Sequence, residues 1–146
     1  MAAKTNPWAR RRSRRALVQA VYQWQMANTD AGVVEREFLE SQAMEKADVA
    51  FFTELLRGVL GDCAGVDALF VEYLDREVAS LDQVERAILR LGSFELKNRI
   101  DVPYRVVIDE YVELAKLFGG QDGYKYINGV LDRLAREVRK VERQGS

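Results

Sequence analysis

Apolar positions in the first part of the chain recur at helical spacing. Leu17, Ala20, Val21 and Trp24 stand at i, i+3, i+4 and i+7, one face of an α-helix, with Val18 and Tyr22 as a flanking stripe. This predicts a first helix from Arg10 or Ser13 to Asn28, closed by the turn residues Asn28, Thr29, Asp30 and Gly32. Before it, residues 1–8 read as a flexible tail whose end Pro7 and Trp8 anchor. A short second helix over Val33–Ser41 turns Val34 and Phe38 inward. Asp48 caps a long third helix carrying Phe52, Leu55, Leu56, Val59, Cys63 and Val66. Gly58, Gly61 and Gly65 inside this run either admit a close neighbour or mark a bend. A fourth helix over Asp67–Arg76 carries Leu69, Phe70, Tyr73 and Leu74.

Asp82 with Glu85 three residues on reads as a capping box. The helix it opens, Val84 to Lys97, is apolar almost all round, and its polar residues retreat to one strip of Arg86, Arg90, Ser93 and Lys97. Such a helix is buried by its neighbours, so it is the expected centre of the core. Pro103 starts the next helix, with Tyr104, Val107, Ile108, Tyr111, Ala115 and Phe118 inward, and Gly119–Gly120 ends it. Asp122 caps the last, whose inward set is Ile127, Val130, Leu131, Leu134 and Val138. No stretch alternates with period two. The expectation is an all-α fold of about seven helices, a smaller N-terminal bundle packed on a larger C-terminal one. Residues 1–146 form one domain with a flexible end at 140–146.

Charge changes this picture. Residues 1–29 hold Lys4 and five arginines and no acid, a charge of +6; the remaining 16 basic and 23 acidic residues give −7, so the net charge of −1 conceals a strong asymmetry. Arg10, Arg11, Arg12, Arg14 and Arg15 run directly into the first helix. If helical, Arg10, Arg11, Arg14 and Arg15 spread over one broad face and Arg12 points away. Arginine pairs bidentately with phosphate, which makes the cluster a candidate nucleic-acid surface. The bland alternatives are a solvated tail and an acidic protein partner.

Phosphate contacts position a nucleic acid without reading it; single-stranded RNA is read by aromatic stacking and contacts to base edges. The candidates are Phe118, Tyr124 and Tyr126 with Lys125 around the GGQDGYKY turn, and Tyr73 with Arg76. Phe118 fits either stacking or the core stripe, and Tyr126 also fits inward packing. Asp122 in the same turn opposes phosphate while contributing a cap, so Asp122→Asn is expected to keep the cap and strengthen RNA binding.

Other classes fare badly. There is no histidine, hence no common general base or metal ligand, and no phosphate-binding or nucleophile motif. Asp109, Glu110 and Glu113 read as a solvated helix face, so no metal, cofactor or catalytic residue is expected. No apolar run approaches the roughly 20 residues of a membrane span. The single cysteine, Cys63, suits a reducing cytoplasm. The basic, acid-poor N-terminus also matches a mitochondrial transit peptide, but it merges into a helix that reads as structural.

RRRSRRALVQAVYQWQ, then QVERAILRLGSFEL, then DVPYRVVIDEYVELAKLFGGQDGYKYINGVLD resemble the NusB family of transcription antitermination factors over residues 8 to 138. The resemblance implies an all-helical, non-catalytic protein. Its members bind boxA-type single-stranded RNA together with NusE, a small-subunit ribosomal protein, in a transcription complex with NusA, NusG and RNA polymerase. They suppress termination, notably on ribosomal RNA operons. The resemblance also marks the turn after Phe118 as RNA surface, and Tyr22 and Glu85 as contacts to the protein partner. A carboxylate common in the family near there is Ala79 in this chain, which leaves the contact set open. Alternatives are a NusB-like module for other RNA work and a protein-interaction or dimerisation module, either monomeric or a homodimer. Three to five arginines on phosphate predict a log–log salt slope of about −2 to −3.5.

Overall fold

The computed structural model describes residues 6–144 of the chain, among which there are eight α-helices and no strand. The first, α1 (Pro7–Ala27), begins earlier than expected. Asn6 caps it, its side-chain oxygen accepting from the amides of Trp8 and Ala9 at 3.0 and 3.2 Å, and Pro7 occupies the first turn. The expected tail over 1–8 therefore reaches the helix at Pro7, and residues 1–5 lie outside the described residues. Asn28 closes α1 in the left-handed region with φ 51°, its N–H donating to the carbonyl of Trp24.

Asp30 caps α2 (Ala31–Leu39), and a single 3-10 turn at Gln42–Met44 leads to Asp48, which caps α3 (Val49–Gly61) as expected. The long third helix is broken at Asp62. Its side chain accepts from the amide of Gly65 at 3.1 Å and starts a separate helix, α4 (Cys63–Phe70). Gly61 and Gly65 thus flank a bend. Gly58 serves close approach, since a side chain there would run into the ring of Phe94. The fourth helix stops short of Arg76, extended only by a 3-10 turn at Val71–Tyr73.

Four further helices follow: α5 (Gln83–Asn98), α6 (Tyr104–Phe118), α7 (Gly123–Val138) and α8 (Lys140–Gln144). The C-terminal stretch expected to be loose is thus helical to Gln144; residues 145–146 lie outside the described residues. Helix α5 is central and touches α1, α3, α4, α6 and α7. Ile88, Leu89, Leu91 and Leu96 on it are fully buried, each such side chain contributing about 1.5–3 kcal/mol. Around it, α1–α3 form the smaller N-terminal group and α4–α7 the larger one. Among the described residues no helix is long and apolar enough to cross a membrane.

The core also holds charge. Of the expected polar strip on α5, Lys97 is exposed, whereas Ser93 and Arg90 are buried. Arg90 donates to both oxygens of Asp67 at 2.8 and 2.9 Å and to Gln25 at 3.0 Å, joining α5, α4 and α1. Arg139, beyond α7, donates to the carbonyls of Leu96, Arg99 and Val102 at 2.7–2.9 Å and so satisfies the open end of α5. The hydroxyl of Ser13 donates to the carbonyl of Asp48 and accepts from its amide, fixing α1 to the start of α3.

Candidate nucleic-acid interface

The five arginines of α1 divide by helical face. Arg14 is 2% exposed and enters the core, donating to both carboxylate oxygens of the fully buried Glu95 at 2.9 and 2.6 Å. Tyr111 donates to the same carboxylate at 2.9 Å. Burial opposes the charge on Arg14, but the hydrogen bonds and charge of Glu95 outweigh it and hold the guanidinium pKa above its ordinary value. Arg14 is therefore not available to a surface ligand, a correction to the expected broad arginine face. Arg10 is half-buried over the ring of Phe51, with Asp48 and Asp101 at 3.6 and 3.5 Å.

Arg11, Arg12 and Arg15 are exposed and line one groove of about 630 Å³ between α1 and α6. Arg12, expected to point away, belongs with the other two because Arg10 and Arg14 turn inward. Trp8, Glu110, Glu113, Leu114 and Leu117 complete the walls. Arg11 is held bidentately by Glu110 at 3.0–3.3 Å. No carboxylate among the described residues pairs with Arg12 or Arg15. Two exposed guanidinium groups with no carboxylate partner among the described residues favour an anion from outside.

Arg15 also lies over the ring of Phe118, 5.8 Å from its centroid, linking the arginine groove to the glycine turn. Phe118 is half-buried: one part of the ring packs on the core and another lines a surface groove. In the turn, Asp122 occupies the cap position of α7 but makes no side-chain cap bond; its carboxylate instead faces Lys125 at 3.5 Å. The expected cap is absent. Tyr124 is half-buried with Lys116 and Lys125 over its ring at 5.0 and 5.9 Å. These three, with Asp109, Glu113 and Asn128, line a shallow pocket of about 440 Å³.

Tyr126, two residues on, belongs to a different group. Its hydroxyl donates to Asp75 at 3.0 Å and accepts from the Asp75 amide at 3.2 Å. Arg76 sits over the Tyr126 ring at 4.6 Å and donates to both Asp75 oxygens. Hydrogen bonds from Arg76 and then Tyr126 pull the Asp75 carboxyl down to about 2. Tyr73 is half-buried nearby, its carbonyl accepting from Arg133 at 3.1 Å.

Tyr22 and Glu85 lie by the first turn of α5. Tyr22 lines an apolar groove of about 650 Å³ with Val18, Met26, Phe38, Val84 and Phe118. Asp82 caps α5 by accepting from the amides of Val84 and Glu85 at 2.8 and 3.3 Å. The return half of the expected box is not made; the Glu85 carboxylate turns to the start of α7, close to Gly123. Burial, reinforced by Asp82 and countered by Arg76, pushes the Glu85 carboxyl up.

The model of the NusB family matches residues 11–136. The chain is 54% identical over 138 residues to the transcription antitermination protein NusB of Alcanivorax borkumensis, covering 94% of this chain and 92% of that protein. This chain belongs to the NusB family. The protein of the same name from Yersinia pestis is 51% identical over 134 residues, 92% of this chain and 97% of its own length. Among solved structures, T. maritima NusB superposes with a TM-score of 0.81 at 32% identity, covering 97% of this chain and 99% of that one. A structure of the antitermination factors NusB and NusE in complex with dsRNA superposes with a TM-score of 0.80 at 23% identity, covering 88% and 97%, a likeness of fold. The all-α architecture read from the sequence is thus the NusB fold.

Three residues at this NusB-family surface escape a sequence reading. Trp8 stands three and four residues before Arg11 and Arg12 on the helix that Asn6–Pro7 starts, a signal hidden when the helix is begun at Arg10. Glu110 and Lys116 reach Arg11 and Tyr124 only through the packing of α6 against α1 and α7.

Proposed function

We propose that this chain is a transcription antitermination factor that binds boxA-type single-stranded RNA together with NusE, in the cytoplasm and without catalysis. On this reading it joins the complex of NusA, NusG and RNA polymerase and suppresses termination, notably on ribosomal RNA operons. The observation that carries the RNA role is the pair of guanidinium groups, Arg12 and Arg15, which have no carboxylate partner among the described residues and are exposed in one groove beside Arg11, continuous with Phe118. Arg11, Arg12 and Arg15 take phosphates, with Arg10 at the margin and Arg14 in support. Phe118, Tyr124 and Lys125 meet bases and backbone at the turn, and Tyr73, Arg76 and Tyr126 extend the surface. Asp122 sits at its edge as an opposing charge.

The apolar groove around Tyr22 is the dock for NusE, with Glu85 as the flanking acid for a basic ribosomal protein. A NusB of the same fold solved with NusE and dsRNA supports NusE and RNA as the classes of partner; the single-stranded form is our own proposal.

The test is fluorescence anisotropy with a short boxA-like single-stranded RNA and a scrambled control, with and without NusE, at several salt concentrations. Three phosphate-binding arginines give a log–log slope of about −2. Selective binding strengthened by NusE is the expected result. Equal binding to both RNAs leaves a generic electrostatic binder, and no binding in either case sinks the reading.

A further inference from the structure

Trp8 is 69% exposed, the most exposed aromatic among the described residues, and takes no part in the core. It is not on a loose tail: its amide donates to the Asn6 cap and its backbone is the first turn of α1. The guanidinium of Arg11 lies over the ring at 5.1 Å, and Glu110 fixes that guanidinium in turn. The ring is thus braced by one cation and opens on the groove that holds Arg12 and Arg15. Of the two acids in that groove, Glu110 is engaged by Arg11 and Glu113 faces Lys116 at 3.3 Å.

We propose that Trp8 is a nucleobase-stacking platform that takes one unstacked base of a single-stranded RNA while Arg12 and Arg15 hold its phosphates. This rests on the RNA reading above and deepens it. A rigid aromatic ring flanked by cations is the arrangement that binds single strands, because every base offers a π-face and every link a negative charge. Duplex RNA turns only edges and backbone outward, so a stacking site selects an unpaired segment. An acidic protein segment would satisfy the arginines and leave the ring without a use.

The chain has two tryptophans, and Trp24 packs against the core, so RNA-dependent emission changes report chiefly on Trp8. The full-length chain is titrated with labelled boxA-like single-stranded RNA, following anisotropy and tryptophan emission together. Emission should be quenched along the anisotropy curve, and duplex RNA should not quench it. W8A should bind about 5-fold or more weakly with the salt slope unchanged, and W8F should recover most of the affinity.

RNA bound by the parent chain without quenching, and with W8A affinity within about 2-fold, overturns the Trp8 assignment and leaves the RNA function standing. A W8A defect accompanied by a shallower salt slope also overturns it, since Trp8 would then act by placing Arg11. No RNA binding by the parent chain fails the proposed function itself.

Discussion

Arg14 and Arg15 leave the same turn of α1. Arg14 is 2% exposed and clamped on Glu95, while Arg15 is exposed, has no carboxylate partner among the described residues and lies over Phe118. The helical step between them, about 100°, carries one side chain onto the stripe of Leu17, Val18 and Val21 and the other off it. A run of identical residues on one helix is therefore two devices. The inner one fixes the helix against α5 and α6 through Glu95 and Tyr111. The outer one presents charge to a ligand. A buried charge needs its partner for stability; an exposed one is free to trade water for phosphate.

The largest effect should come from breaking the inner device. R14A or E95A leaves an uncompensated charge in the core and should cost about 3–5 kcal/mol, read as a shift in denaturant midpoint. Replacing both at once, R14M with E95L, should restore part of that stability, because both desolvation costs vanish with the charges while the buried Tyr111 hydroxyl loses its acceptor. The comparison turns on the RNA affinity of the double variant. It should stay within about 2-fold of the parent, since the exposed arginines are untouched. A folded double variant that binds RNA tenfold more weakly would return Arg14 to the ligand surface.

The outer device should respond in the opposite currency. R12A and R15A should each leave stability within about 0.5 kcal/mol. Each should flatten the salt slope by about 0.7, which at about 0.1 M salt is roughly a 5-fold loss of affinity. R11A should fall short of that, because Glu110 already neutralises Arg11 and would be left behind without a partner. Equal losses for all three would mean that RNA displaces Glu110.

How far the sequence discloses this division is instructive. The apolar periodicity of α1, α5, α6 and α7 is strong enough to place the core helix and the all-α class, because burial of these stripes dominates the energetics. Arg14 stands at i−3, i−4 and i−7 from Leu17, Val18 and Val21, so its inward direction is also written there. Its partner is not. Glu95 lies 81 residues away on a helix whose circumference reads as apolar, and only packing brings the two together. The break at Asp62 is missed for a related reason: a capping aspartate inside a continuous apolar run competes with helix continuation, and the local pattern does not say which wins. Asp122 is the converse case, a residue of cap type at a cap position that pairs with Lys125 instead.

That observation changes what Asp122→Asn tests. No cap bond is at stake, so stability should move by less than about 0.5 kcal/mol. The substitution removes an exposed negative charge and releases Lys125, and RNA affinity should rise about 2- to 5-fold, measured by anisotropy. A weaker complex would show that the carboxylate contacts RNA directly, as an acceptor for a base amine.

Arg76 stands between the two extremes of the arginine comparison, exposed like Arg15 yet paired like Arg14. Its partner Asp75 is held down to about 2, first by Arg76 and then by Tyr126. A depressed carboxyl favours the folded state above its ordinary pKa of about 3.9 and loses that effect as pH falls through about 2. The cluster should therefore remain charged and intact from neutral pH to about 4, with the Asp75 carboxyl signal in a pH titration moving near 2. Y126F should raise that midpoint by removing one hydrogen bond to the charged form. At neutral pH, D75N should release Arg76 from its ion pair and increase RNA affinity by no more than about 2-fold, the smallest change expected here, because an exposed pair contributes little in water. An increase as large as the loss in R12A would place Arg76 among the principal phosphate contacts and extend the outer device beyond α1.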